Sequence, residues 1–257
     1  MKESILDGVT EILDDWLGIT YPSAGKPEYN KKNVVLALSN NCDWIPHQYE
    51  GVLGETLLHR INRNWNPSRV AGKSNWKMRK RLDKAVNQED LLERSLSGSL
   101  NRTWGNQIPT SSGLITESSD KKRNIDLFHS DGEFMELVEL KVSSSSDTPI
   151  SAAFQIINYC MLFIHAKRNS DSLLKHLITT PSPKHVILSV LCPEDHWDKR
   201  YALKHLVRKL NIELACFNQT DGIDIEFRFQ SLPWKSGDET KSVSSISDLF
   251  NSRKTLF

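Results

Sequence analysis

The chain has 257 residues, 38% of them hydrophobic and 25% charged, with 33 Lys+Arg against 32 Asp+Glu and a formal net charge of +1. At about 150 residues per domain this is one large domain or two small ones, and the composition excludes collagen-like and wholly disordered chains. Near-neutrality excludes a polycation but leaves room for a local basic face.

Met1 to Gly8 carries acids where a secretion signal needs an apolar run. The four cysteines, Cys42, Cys160, Cys192 and Cys216, lie far apart with no C-x-x-C, which suits reduced thiols and a cytoplasmic location. Ile5, Leu6, Val9, Ile12, Leu13 and Trp16 recur at helical spacing and predict an acidic amphipathic helix over 2–17. Gly18 and the segment Tyr21 to Pro27 end it. Val34 to Leu38 is a short apolar run that suits either a strand or a buried helical turn. Helices are predicted over 48–63 and 76–103, with Gly98 weakening the end of the second.

From about residue 112 the pattern turns to strands. Asn124 to His129 reads as a strand, Ser130 to Gly132 as a tight turn, and Glu133 to Val142 as a second strand. Asp-Gly between two such runs is a hairpin signal. Thr148 offers an N-cap with Pro149 at the first helical position, and a strongly apolar helix is predicted over 149–167. Its richest stretch, Ile156 to Ile164, is interrupted by Asn158 and Tyr159 and is too short to span a bilayer, so no membrane partner is expected. His185 to Leu191 is apolar on both faces, as a buried parallel strand requires. A helix near 195–210 and strands at 212–217 and 223–230 complete an order that predicts an α/β sandwich. The Ser-, Lys- and Asp-rich residues 235–257 read as a loose tail.

Side chains in the second hairpin strand alternate faces. Met135, Leu137, Glu139 and Lys141 share one face; Phe134, Val138, Leu140 and Val142 share the other, with Glu136 the polar exception. A strand apolar on both sides lies inside a sheet, where an unpaired charge is costly and needs a partner or a metal. Asp126, flanked by Ile125 and Leu127 pointing the opposite way, can approach Glu139 across the hairpin. Two carboxylates, waters and the Leu140 carbonyl make an oxygen site suited to Mg²⁺ or Mn²⁺. Lys141 stands beside it to orient a water or balance charge on a phosphate. The same spacing equally suits a structural Glu139–Lys141 ion pair with Asp126 capping a turn.

Asp126, a turn, then Glu139-Leu140-Lys141 resembles the PD-(D/E)xK nuclease superfamily, which includes restriction endonucleases and recombination exonucleases. On the helix that follows, Gln155 and Tyr159 resemble the Q-x-x-x-Y signature of its exonuclease-like branches, and residues four apart share a helical face. The resemblance covers roughly residues 89–192, and Ile125 stands where the name motif has Pro. It implies a restriction-endonuclease-like α/β/α sandwich with a mixed central sheet over 86–234. Residues 1–85 are then an added N-terminal helical region that shapes substrate access, and 235–257 a flexible tail. The activity implied is Mg²⁺-dependent hydrolysis of DNA phosphodiesters. Asp126, Glu139 and the Leu140 carbonyl would hold the metal, Lys141 would assist the attacking water, Gln155 would orient a water or phosphate oxygen, and Tyr159 would line the substrate side. Glu93 is assigned as the helix glutamate that often completes the family's site, because its helix leads into the hairpin region. Glu89 and Glu55 are its rivals, and a solvated helix face accounts equally well for any of the three.

Between Arg60 and Lys84 there are nine basic residues and one acid, Asp83, a local charge of about +8. Lys73, Lys77, Arg79, Lys80 and Arg81 are the candidate phosphate contacts, with Trp65 and Trp76 interleaved to stack bases. A solvated basic face with both indoles in the core is the alternative. The expected partner is nucleic acid, DNA rather than RNA, with a homodimer or a protein partner where both strands are cut. A non-catalytic nucleic-acid-binding protein or assembly subunit of the same fold is the competing function. Ala71 to Ser74 lacks the preceding glycine a phosphate loop needs, since Pro67 stands there. The pairs Cys42/His47 and Cys192/His196 have zinc-like spacing but no second pair nearby.

Overall fold

The computed structural model of the chain describes residues 4–18, 52–65, 80–100, 103–109, 124–142, 148–169, 183–194, 203–235, 238 and 242–257. The run 34–38, the segment 71–74, Trp76, Lys73, Lys77, Arg79, Cys42, His47 and His196 lie outside the described residues. The hairpin is where the sequence expected it. Strand β2 (Asn124–Ser130) turns through Gly132, at φ 97°, into β3 (Phe134–Leu140), and the left-handed turn residue is the glycine that tolerates it. With β1 (Trp104–Pro109), β4 (His185–Pro193), β5 (Asp224–Leu232) and β6 (Lys254–Thr255) these form one six-stranded sheet in the order β1-β2-β3-β4-β5-β6. β1, β2 and β3 are antiparallel, β3, β4 and β5 parallel, and β6 antiparallel to β5. The fold is therefore α/β with a mixed sheet.

Both parallel connections run through helices, as parallel pairing demands. The helix that joins β3 to β4 starts where the sequence placed it: Thr148 Oγ1 accepts from Ser151 N at 3.1 Å and Pro149 opens the first turn. This helix, Pro149–Arg168, packs with α1 (Val9–Trp16), α2 (Leu53–Asn64) and α5 (Lys204–Leu214) over Met135, Leu137, Leu188 and Phe227. In chain order it is α4, because α3 (Gln88–Ser99) precedes it. The opposite face of the sheet buries Leu127, Val138, Leu140 and Leu191 under Leu92 and Leu96 of α3 and under Ile246 and Phe250 of α7 (Val243–Asn251). By length and composition α4 is long and apolar enough to cross a membrane, which corrects the expectation drawn from Ile156 to Ile164 alone. Its most apolar window is 72% buried inside the protein, and its place between sheet and helices accounts for that composition.

The departures from expectation have local causes. The first helix begins at Val9 and not at residue 2, because Gly8 adopts φ 77° and a turn occupies 5–8. Among the described residues of 76–103, only Gln88–Ser99 is α-helical. Extended Asn87 caps α3 by accepting from Asp90 N at 2.8 Å, and a 3₁₀ turn at Leu82–Lys84 precedes it. β1 went unrecognised because Trp-Gly-Asn-Gln-Ile-Pro lacks the alternation that marks a strand. Residues 212–217 are helical: Leu206, Val207, Leu210, Leu214 and Phe217 are buried at helical spacing, and α5 runs almost directly into α6 (Cys216–Asp221).

The C-terminal residues are not a loose tail. Ser242 caps α7 by accepting from Ser245 N at 3.3 Å, and Ile246 and Phe250, four residues apart, close the second core at 3% and 1% exposure. Arg253 then reaches back to the buried Glu136 at 2.9 Å, whose other oxygen accepts from Ser189 Oγ at 2.9 Å. That pairing explains the one polar residue on an otherwise apolar strand face. Ile246→Ala is expected to cost about 2–4 kcal/mol in urea denaturation. A dangling tail would give no change.

His165, 1% exposed on α4, joins Asn62 Oδ1 at 2.7 Å and packs edge-on against Trp65 at 5.2 Å between ring centroids. Trp65 is thus packed against the main core and not presented for base stacking. Burial lowers the His165 pKa from 6.5 to about 4. Between those values the unfolded chain binds a proton that the folded chain refuses, so this contribution to stability is present above pH 6.5 and is lost as pH falls toward 4. About 2 kcal/mol is lost by pH 5. The stability difference between pH 7 and pH 5 should therefore shrink by about that amount in His165→Gln. Equal shifts in variant and wild type would place the titration elsewhere.

Candidate active site

The site forms where the hairpin ladder ends. The β2–β3 register stops at Leu127↔Val138, and one further step sets Asp126 opposite Glu139. There the Leu140 N–H donates to the Asp126 side chain, Oδ2, at 2.8 Å. The next amide along, Lys141 N, points the other way and donates to Leu191 O of β4 at 3.0 Å. Lys141 Nζ donates to Glu139 Oε1 at 2.6 Å. It also lies 3.8 Å from Glu89 Oε2, which the first turn of α3 supplies. The structure thus brings together Asp126, Glu139 and Lys141, sets the Leu140 amide against Asp126 where the sequence expected the Leu140 carbonyl to face a metal, and adds Glu89.

Burial sets the electrostatics. Asp126, Glu139 and Lys141 are 9%, 1% and 3% exposed. The Glu89 side chain, 33% exposed, marks the solvent side. Burial pushes the Asp126 carboxyl up, against the pull of Lys141 and the Leu140 amide. Glu139 rises well above the usual carboxylate range, first through burial and then through the Asp126 charge, with Lys141 opposing. Burial alone would lower Lys141, but Glu139, Asp126 and Glu89 outweigh it and the ammonium is held more firmly than usual. Two buried acids share one ammonium, so ionisation of each resists that of the other. Glu139 Oε2 is buried without a hydrogen-bond partner.

Glu93 sits elsewhere in this arrangement. Its buried carboxylate accepts from Asn106 Nδ2 at 2.7 Å and from Gln107 Nε2. Gln107, at φ 52°, is the one non-glycine residue with positive φ among the described residues. The left-handed region costs a non-glycine residue about 1–2 kcal/mol. Hydrogen bonds to a charged group contribute about 1.5–3 kcal/mol each, so the Glu93 clamp outweighs the strain. Glu89, not Glu93, is the α3 glutamate beside Lys141. Nothing in the sequence decides between two glutamates four apart on one helix. Asn106 and Gln107 were missed because β1 itself was. Glu55 is joined to Arg168 at 2.8 Å, within a cluster that includes Asp221.

On α4, Gln155 Nε2 donates to Tyr159 Oη at 3.0 Å. Tyr159 is buried in the main core, which leaves half-buried Gln155 the more accessible of the two. Of the basic strip, Lys80, Arg81 and Lys84 are exposed, and Arg81 pairs with Asp83 at 2.8 Å. Arg94 holds this segment against α3, donating to the Arg81 carbonyl at 2.7 Å and to Asp90 at 2.7 Å. Cys192 is a buried free thiol whose pKa burial raises well above normal, so it behaves as an apolar residue. Among the described residues no group of three or more His, Cys, Asp or Glu side chains is placed to hold a metal ion. Comparison with protein families, with curated proteins and with solved structures returns no match.

Proposed function

We propose that the protein is a metal-dependent nuclease of the PD-(D/E)xK kind, with a restriction-endonuclease-like fold, that hydrolyses DNA phosphodiesters. The observation that carries this reading is the buried Glu139 Oε2, left without a partner beside a second buried carboxylate, Asp126. A Glu139–Lys141 pair by itself leaves Glu139 Oε2 unsatisfied, and Asp126, beyond holding the Leu140 amide, adds to burial a charge that raises the Glu139 pKa and disfavours its ionisation. The donor set, two carboxylates and the Leu140 carbonyl, fits a hard divalent cation such as Mg²⁺ or Mn²⁺. When bound there, such an ion would neutralise phosphate charge and acidify a water.

Lys141 keeps its proton at neutral pH, so it acts as a fixed positive charge and donor, not as a general base. Its place is to hold a water or a phosphate oxygen and to balance charge as the phosphorus becomes crowded with oxygens. Glu89 anchors the exposed side of that ammonium. Exposed Lys80 and Lys84 lie a few residues before Glu89 and suit phosphate contacts of the incoming strand. The absence of a third metal-ligating side chain among the described residues favours a second reading, a non-catalytic nucleic-acid-binding subunit. The test is a cleavage panel of linear, circular, single-stranded and RNA substrates with Mg²⁺ and Mn²⁺, alongside calorimetric metal titration. Metal binding with cleavage supports the nuclease. Nucleic-acid binding with neither metal uptake nor cleavage supports the subunit.

A further inference from the structure

We infer that Gln107, held in a left-handed conformation by Glu93, is a positioning residue for Asp126; the inference rests on the nuclease reading for its consequence but not for its geometry. Consecutive side chains of a strand point to opposite faces. Asn106 and Gln107 nevertheless both donate to the one Glu93 carboxylate, and the φ of 52° at Gln107 is what turns them together. The cost of that turn appears in the ladder. β1 pairs with β2 at Asn106↔Leu127 and again at Ile108↔Ile125, in the same register, but the Gln107↔Asp126 pair between them is missing.

On the other side of β2 the ladder to β3 ends at Leu127↔Val138. Both ladders that hold β2 are therefore interrupted at Asp126. Released from flat pairing, the Asp126 carboxylate crosses to the Leu140 N–H and stands beside Glu139. Asn124 ties the same kink from the β2 side, donating through Nδ2 to Gln107 Oε1 at 3.2 Å. Glu93 and Asn106 are 3% and 0% exposed, so the clamp is shielded from water and acts within the protein, not at its mouth. Glu93, which the resemblance assigns as the helix glutamate that completes the site, thus works one step back, through a strained glutamine.

Gln107→Ala and Gln107→Gly separate conformation from lost contact, because both remove the amide but only glycine keeps positive φ without strain. The direct readout is hydrogen exchange of the Leu140 amide, which Asp126 holds, against the adjacent Lys141 amide, which Leu191 holds as an internal reference. Gln107→Ala should accelerate Leu140 exchange relative to Lys141, and Gln107→Gly should not. Mn²⁺ affinity by calorimetry, and kcat on DNA, should then fall about 10- to 100-fold in the alanine variant with KM little changed, while the glycine variant stays near wild type. Identical exchange and identical affinity in the two variants overturn the inference. An exchange difference in a protein that binds no Mn²⁺ and cuts no nucleic acid leaves the positioning of Asp126 standing and removes the nuclease reading.

Discussion

Lys141→Ala should lower kcat for DNA cleavage by about 10²- to 10⁴-fold, because in the proposed nuclease it removes a fixed donor that would face developing transition-state charge. A stability effect comes with it and has a sign of its own. The ammonium is the balancing charge for Glu139 at 2.6 Å and for the neighbouring Asp126. Removing one partner of a buried pair typically costs about 3–5 kcal/mol. Here the survivors are carboxyls whose pKa values burial already raises, so protonation relieves the cost. A carboxyl with a folded pKa above its unfolded value stabilises the fold at low pH and loses that contribution as pH rises through the folded value. The variant should therefore be markedly less stable than wild type at pH 8 and approach it as pH falls toward 5. Lys141→Arg should recover stability but little activity, since a planar guanidinium does not replace a compact ammonium in a site shaped for one. Wild-type kcat in a folded Lys141→Ala protein would end the nuclease reading.

What the sequence made legible was the part of the fold where local signals agree. Asp-Gly at the turn, alternation through Glu133 to Val142 and the Thr148-Pro149 start each point to the element found there. The Asp126, Glu139 and Lys141 cluster followed from strand periodicity, because a one-residue shift would have sent the acids to opposite faces. What stayed hidden depends on contacts distant in the chain. The burial of Ile246 and Phe250 makes α7 a wall of the second core, although its serine-rich composition reads as linker. The helical spacing in 206–217 was legible but lost to the β-like look of Ile212 to Phe217. β1 exists as a strand through its pairing with β2, and with it went the Glu93 clamp and the choice between Glu93 and Glu89.

Asp126→Asn should raise the melting temperature of the metal-free protein while abolishing its response to Mn²⁺. Asparagine still offers an oxygen to the Leu140 amide, so the one hydrogen bond Asp126 shows can survive. What the substitution removes is a buried acid whose ionisation burial already resists and whose charge disfavours that of Glu139, while Glu139 keeps Lys141 as its partner. Relief of that repulsion is worth about 1 kcal/mol, or about 2–4 °C for a chain of this size. In the wild type the same pair of acids is what a bound cation would hold ionised. Mn²⁺ at a hundred times its dissociation constant should stabilise by about 2.7 kcal/mol, a rise of about 5–10 °C. That rise should weaken as pH falls, because protons compete for carboxyls whose pKa values lie above the ordinary range. The two shifts have opposite signs in one variant, which no purely structural role for Asp126 produces. A side chain kept for stability gives a lower melting temperature on replacement and no metal response to lose. A side chain kept for a cation leaves the empty fold strained and is stabilised when its charge is removed.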